Sequence, residues 1–285
     1  MAKRRTLTAE VFADGVTLHG GAPVRIRLAP AEPMTGIRFR RRDIAGSDPI
    51  PALWSNVVET RLGTVLGGTN GLSVGVVEHV LAALAGAEID DCLIEVDGPE
   101  PPILDGDALS FLDLLARAGV REIDGTRETI RVLRETKVSS GTSEARLLPS
   151  AIASFHFEID FPSRVIGRQS FLFHFSRENF RREIAPARTF GFLHEAEQLR
   201  EMGFGRGSDL HNTLVIDGNH LLNPELQRFP DEFVRHKILD AVGDMKLAGA
   251  ALIARFEGRR SSHALNNVLL RTLFADPKNY ERASV

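Results

Sequence analysis

One pattern occurs twice in this chain, and it restricts the fold more than any local propensity. Val77-Glu78-His79 opens an apolar helical stretch that reaches Ala85-Gly86; Leu93-Ile94, Gly98 and a further helical stretch from Ala108-Leu109 follow. In the second half the same order returns as Val234-Arg235-His236, an apolar helix to Ala248-Gly249, Leu252-Ile253, Gly258 and Ala264-Leu265. Such a repeat predicts two copies of one α+β unit, a few antiparallel strands and then helix, strand, helix. The expected architecture is two small, mostly antiparallel sheets, each with two helices, and the helices packed between the sheets. His79 and His236 then become corresponding residues of facing helices, and a site forms between the units, where ligand sites often lie.

The strands are read from alternation: Val24, Ile26 and Leu28 alternate with Arg25 and Arg27, the period of a half-buried sheet. Short strands are expected over 6–12, 16–19, 24–28 and 36–41, extended chain around Trp54 over 50–66, and a loop over 67–71. Ser73 is the expected cap of the Glu-His helix, and a second helix over 108–118 ends at Gly119. A boundary near Asp124-Gly125-Thr126 divides the chain into domains 1–125 and 126–285. The second domain is expected to hold strands over 129–135, 145–148, 153–161 and 169–175, and a short helix over 177–182 capped by Ser176. An insert over about 193–216 precedes the helix 230–249, a strand over 251–256 and a helix over 264–274; the tail from Asp276 is expected to be loosely held.

Composition narrows the function classes. With 285 residues, 43% hydrophobic and 26% charged, the chain has material for a large core. A net charge of -3 gives no reason to expect nucleic acid, and the strip Arg38, Arg40, Arg41, Arg42 reads as the solvated side of a strand. Cys92 is the only cysteine, so no intrachain disulfide forms, and its apolar neighbours mark it as a buried strand thiol. No apolar run spans a bilayer and Lys3-Arg4-Arg5 precedes no apolar core, so a cytoplasmic protein with at most peripheral membrane contact is expected.

The chemistry concentrates on the helix 230–249. His236, Asp240 and Asp244 recur four residues apart and stack on one stripe, where His at i and Asp at i+4 can hold one metal ion. Alone, that spacing is common and better describes a surface ion-pair ladder. With His79 it becomes a His₂Asp set that leaves one tetrahedral position for water, as catalytic zinc requires, although the set suits Fe²⁺ as well. Glu78, beside His79, is placed to take a proton from that water. His263 sits at a loop-to-helix junction where its imidazolium could protonate a leaving amine, with Asp244 as its partner. His156, His174, His194 and His220 are read as ordinary histidines.

Several motifs carry a family resemblance from about Arg5 to Leu273. They are Val77-Glu78-His79, the turn Pro101-Pro102-Ile103-Leu104-Asp105-Gly106, and Ala187-Arg188-Thr189-Phe190-Gly191-Phe192. Asp231 to Lys237 with Asp240 and Asp244, and Gly258 with His263-Ala264-Leu265-Asn266-Asn267, complete the set. In that order they resemble the UDP-3-O-acyl-N-acetylglucosamine deacetylases of lipid A biosynthesis. The resemblance implies a zinc-dependent hydrolysis of an acetamide on a UDP-linked amino sugar. It makes His79, His236 and Asp240 the zinc ligands, Glu78 the general base, His263 the acid with Asp244 behind it, and Thr189 the oxyanion donor. Lys237, Phe190, Phe161 and His19 are implied to line the substrate cleft.

The chain departs from the family pattern mainly where substrate would lie. His19-Gly20-Gly21 stands for His-Thr-Gly and Asp107 for a serine. Arg61 takes an apolar position, Gly63 that of a side chain near the metal, and Phe204-Gly205-Arg206-Gly207 and His211 alter the insert. The segment after Phe161 lacks the usual Asn-His-Pro. Two alternatives remain open at this level: a paralogous zinc amidase acting on another N-acyl amino sugar or cell-envelope amide, and a non-catalytic binding module. Intact Glu78 and His263 weigh against the module.

Overall fold

The structure, a computed structural model, describes residues 1–284. Its two main sheets repeat one topology. In the first half the strands are β1 (Val11–Val16), β2 (Pro23–Ala29), β3 (Ile37–Arg41), β4 (Ile50–Pro51) and β5 (Cys92–Val96), in spatial order β1-β2-β5-β3-β4. In the second they are β6 (Thr136–Ser140), β7 (Ser143–Leu148), β8 (Ser154–Asp160), β9 (Arg168–His174) and β10 (Arg255–Arg259), in spatial order β6-β7-β10-β8-β9. The last strand of each unit enters the middle of its sheet and makes that sheet's one parallel pair, β3 with β5 and β8 with β10.

The helices repeat too. Helices α1 (Glu78–Gly86) and α2 (Leu109–Ala118) flank β5 in the chain. After the insert helix α3 (Leu193–Glu201), α4 (Glu232–Lys246) and α5 (His263–Ala275) flank β10 in the same way. Each unit also carries its extra structure at the same joint, between the fourth strand and the first helix. In the first unit this is a three-stranded sheet over Val57–Glu59, Val65–Gly67 and Ser73–Val74. In the second it is the helical stretch 177–184, α3, and a sheet over Phe190–Phe192, Leu214–Asp217 and His220–Leu221.

Helices α1 and α4 pack against each other in one continuous core to which both sheets contribute. Only Ala85 of α1 escapes full burial, which is why that helix reads apolar all round. The two helices meet where Gly243 faces the first turn of α1; a Cβ at Gly243 would lie 2.1 Å from the Glu78 carbonyl oxygen. Gly243→Ala is therefore expected to cost roughly 1–3 kcal/mol by overpacking and to lower the thermal midpoint by several degrees. An unchanged melting curve would show that the helices can part without cost.

Several expected elements differ. The single strand over 6–12 is two: Lys3–Leu7 pairs with Val120–Thr126, and then Thr8 and Ala9 donate to the carbonyls of Gly119 and Ala118, turning the chain before β1. The stretch 124–126 closes that partner strand. In place of a strand over 16–19, Thr17 makes one isolated bridge to Pro102 and the chain turns back to Ala22. Ser73 does not cap α1; it lies in a strand, and the helix enters without a side-chain cap. Ser176 does cap its helix, accepting from the Asn179 N–H at 3.1 Å. The tail is held: Tyr280–Ser284 pairs antiparallel with Glu128–Val132, and the Tyr280 ring packs on Phe274. Cys92 is buried, and burial pushes its thiol up to about 12.

Candidate metal centre and catalytic cluster

The α1–α4 crossing brings His79 and His236 together, their rings edge to face with centroids 5.1 Å apart. Asp240, one turn beyond His236, turns Oδ1 toward both: 3.4 Å from His236 Nε2 and 3.7 Å from His79 Nε2. One donor atom from each residue lies within 4.8 Å of the others, and all three residues are buried. A tetrahedral zinc site with bonds of about 2.0–2.2 Å spaces its donors by about 3.4 Å, so the set fits such an ion. Protonation agrees. Burial, then the neighbouring His236 imidazole, holds His79 at about 3, and burial lowers His236, so both rings are neutral donors. His236 Nδ1–H donates to the Ala187 carbonyl at 3.1 Å, which leaves Nε2 as the free lone pair. Among the described residues, His79 Nδ1 is buried without a hydrogen-bond partner. Burial alone would raise Asp240; Lys237, which donates to its Oδ2 at 2.6 Å, and the His263 imidazolium outweigh it and keep the carboxyl ionised.

Beside this cage stands a carboxyl–imidazole pair. Glu78 opens α1, its side chain accepting from the Thr64 backbone N–H at 2.9 Å; burial, only partly offset by His263, raises it to about 7. Val76, two residues earlier, holds φ at 53°, a costly conformation for a β-branched residue and a frequent mark of functional sites. His263 is the first residue of α5, with Ser262 as the N-cap. Burial and the helix N-terminus both disfavour its charge. Asp244 first, then Glu78, reverse this and raise it to about 9. Its Nδ1 is 2.8 Å from Asp244 Oδ2, while Nε2 faces Glu78 Oε1 at 3.9 Å and Asp240 Oδ2 at 4.0 Å.

Two participants are missed by sequence reasoning. Thr64 holds Glu78 through its N–H and donates its hydroxyl to Asp244 Oδ1 at 2.6 Å, tying the carboxyl to the partner of His263. Asn266 donates to Asp244 Oδ2 at 2.8 Å. A lone threonine in an irregular insert carries no pattern, whereas Asn266 lies inside a noted motif. Thr64→Val removes one donor to a buried carboxylate and is expected to lower turnover about tenfold with metal content unchanged; full activity would make the hydroxyl dispensable.

The cleft residues divide into two places. Phe190 stands edge-on to His236 at 6.3 Å and to Phe161 at 5.7 Å, and Phe161 also meets Phe192. Thr189 is half-buried, two residues beyond the carbonyl that orients His236, with its N–H held by the Gly106 carbonyl at 2.8 Å. The Pro101–Gly106 turn thus braces this strand. His19 lies apart, its ring 3.0 Å from the Leu62 carbonyl and edge-on to Phe204, in a cavity of about 190 Å³ that Gly63 also lines. A Cβ at Gly63 would lie 2.9 Å from Glu78 Oε1, so glycine there leaves the carboxyl room. Arg206 is exposed, its guanidinium on the Arg200 carbonyl, whereas Asp107 is buried, accepts from Ser110 at the start of α2 and pairs with Arg228.

Two neutral imidazoles and a carboxylate converging beside a buried carboxyl and an imidazolium define a class, the metal-dependent hydrolases. Residues 4–275 match the family model of UDP-3-O-acyl N-acetylglycosamine deacetylase. The chain is 46% identical over 275 residues to a UDP-3-O-acyl-N-acetylglucosamine deacetylase of Phenylobacterium zucineum, covering 96% of this chain and 94% of the relative. Enzymes of that name from Myxococcus xanthus (46% identity, 98% and 88% covered) and Campylobacter hominis (41%, 99% and 95%) are similar along nearly the whole chain. The chain belongs to the UDP-3-O-acyl N-acetylglycosamine deacetylase family. No helix among the described residues is long and apolar enough to cross a membrane.

Proposed function

We propose that this chain hydrolyses the acetamide of UDP-3-O-acyl-N-acetylglucosamine, a step of lipid A and hence lipopolysaccharide biosynthesis, with zinc held by His79, His236 and Asp240. The observation that supports it is the convergence of Asp240 Oδ1 with both His Nε2 atoms, 3.4 and 3.7 Å away, next to Glu78 and His263. When bound, the cation supplies Lewis acidity toward the amide carbonyl and the attacking water. Glu78 takes the proton of that water as it attacks the amide carbonyl. The Thr189 hydroxyl donates to the oxygen that becomes negative. His263, an imidazolium fixed by Asp244, gives its Nε2 proton to the amine nitrogen as the C–N bond breaks, releasing acetate and the free amine. Phe190, Phe161, Lys237 and His19 line the path of the sugar and its substituents. Such a substrate suits a cytoplasmic enzyme with at most peripheral membrane contact.

A second reading keeps the reaction and changes the acyl substituent. One observation favours it: the Arg61 guanidinium lies 5.1 Å from the centre of the Phe204 ring, and His19 contacts the same ring, so polar groups crowd the insert's aromatic. Acetate release from acylated and non-acylated UDP-N-acetylglucosamine tests both readings. Turnover of the acylated sugar alone is expected; failure on both would favour an amidase of other specificity. Purified protein is expected to carry about one zinc per chain, with Fe²⁺ the ion to seek if zinc is absent, and His236→Ala to lose it.

A further inference from the structure

The C-terminal ends of α1 and α4 frame a second cavity, distinct in its lining from the metal centre. It measures about 370 Å³, within the roughly 300–1,000 Å³ of small-molecule sites. Five alanines (Ala85, Ala151, Ala153, Ala250 and Ala251) open the space, and larger apolar side chains such as Phe155 and Met245 bound it. No residue of the catalytic cluster lines it.

Its charges are uneven in a specific way. The acids at this end of the helices are each matched to a guanidinium: Asp91 to Arg4 at 2.6 Å, Glu88 to Arg5 at 2.8 Å, and Asp90 to Arg127 at 3.1 Å. Lys246, which also lines the cavity, has no carboxylate partner among the described residues. Its half-buried ammonium donates only to the Ile89 carbonyl, at 2.8 Å. Burial lowers its pKa to about 8, and the carboxylates of Asp90 and Asp91 offset this only in part. A largely apolar space lined by Lys246, a cation without a carboxylate partner, and by Glu88 and Arg127, which are already paired, is complementary to an aliphatic chain ending in a carboxylate.

We infer that this cavity is a binding site for a medium-chain fatty carboxylate, its chain among the alanines and its head on Lys246. Dodecanoate is the probe, and the protein offers a local reporter, because Met245 lines the cavity whereas Met202 lies in the insert, near α3. In protein carrying ¹³C-methyl methionine, titration with sodium dodecanoate below its micellar concentration is expected to move the Met245 signal saturably. Lys246→Met keeps the length and loses the charge, and it is expected to weaken that titration at least tenfold. Ala151→Trp, at an exposed rim position, is expected to block it, and dodecanol to bind at least tenfold more weakly than dodecanoate. A stationary Met245 signal overturns the site, even if Met202 moves through binding elsewhere. Equal titrations of the wild type and Lys246→Met, or equal binding of the alcohol, overturn the assignment of a carboxylate head. Unchanged deacetylase turnover in both variants without dodecanoate shows that they fold.

Discussion

Replacing Glu78 by glutamine is expected to lower kcat for acetate release about a hundredfold to ten-thousandfold, with metal content and fold retained. Glutamine keeps the shape at the start of α1 and can still accept from the Thr64 N–H, but it cannot take a proton from water. Steady-state kinetics beside metal analysis checks this; activity within threefold of the wild type would remove Glu78 from the role of base. Stability is expected to move the opposite way. Burial raises the folded-state carboxyl to about 7, above its ordinary value near 4.5, so ionising it opposes folding. The wild-type apoprotein therefore loses stability as pH rises from about 4.5 to 7, and the glutamine variant, spared that loss, should melt higher at pH 8. A bound cation adds positive charge beside Glu78, lowers its pKa and shrinks the difference. The Glu78 carboxyl is thus a group whose ionisation costs the fold stability, as expected of a residue retained for the proposed reaction.

The sequence made this cluster legible because a helix has one rigid repeat. His236, Asp240 and Asp244 share a stripe by spacing alone, and the duplicated helix supplied His79, so the facing of α1 and α4 followed from pattern. The central strands were legible for a similar reason, since burial on one face enforces alternation. The rest depended on contacts between distant residues. The β6 strand Thr136–Ser140 is an edge strand of polar residues, so no apolar period marks it. Tyr280–Ser284 is ordered by a partner far back in the chain, and nothing in five mixed residues announces that pairing. Thr64 and the Ala187 carbonyl act through a hydroxyl and a main-chain oxygen that any sequence could supply; only folding places them on Asp244 and His236. Arg206, noted in the sequence as a departure within the insert, is a surface guanidinium, which only the folded insert reveals.

The acid side of the reaction yields the other large effect. His263→Ala is expected to lower kcat about a hundredfold or more, and it should also erase the alkaline limb of the pH profile. Burial works against the imidazolium, but Asp244 first and Glu78 next outweigh it and raise His263 to about 9. The proton donor proposed above is therefore charged at neutral pH and, in the metal-free protein, is lost as pH rises through about 9, so wild-type kcat/KM should fall on the alkaline side. The same raised pKa stabilises the folded protein fully below about 6.5, the ordinary value for histidine, and that contribution disappears as pH climbs toward 9. Asp244→Asn separates the two effects. It keeps a hydrogen-bond acceptor for His263 Nδ1 while removing the largest cause that raises the pKa, so the alkaline limb should move toward neutral pH and its loss of kcat should be smaller than that of the alanine variant. A bound divalent ion shifts wild type and variant alike and leaves the direction of the difference intact. An alkaline limb at the same pH in wild type and Asp244→Asn would mean that the limb belongs to another group, and that His263 acts by shape or hydrogen bonding, not by charge.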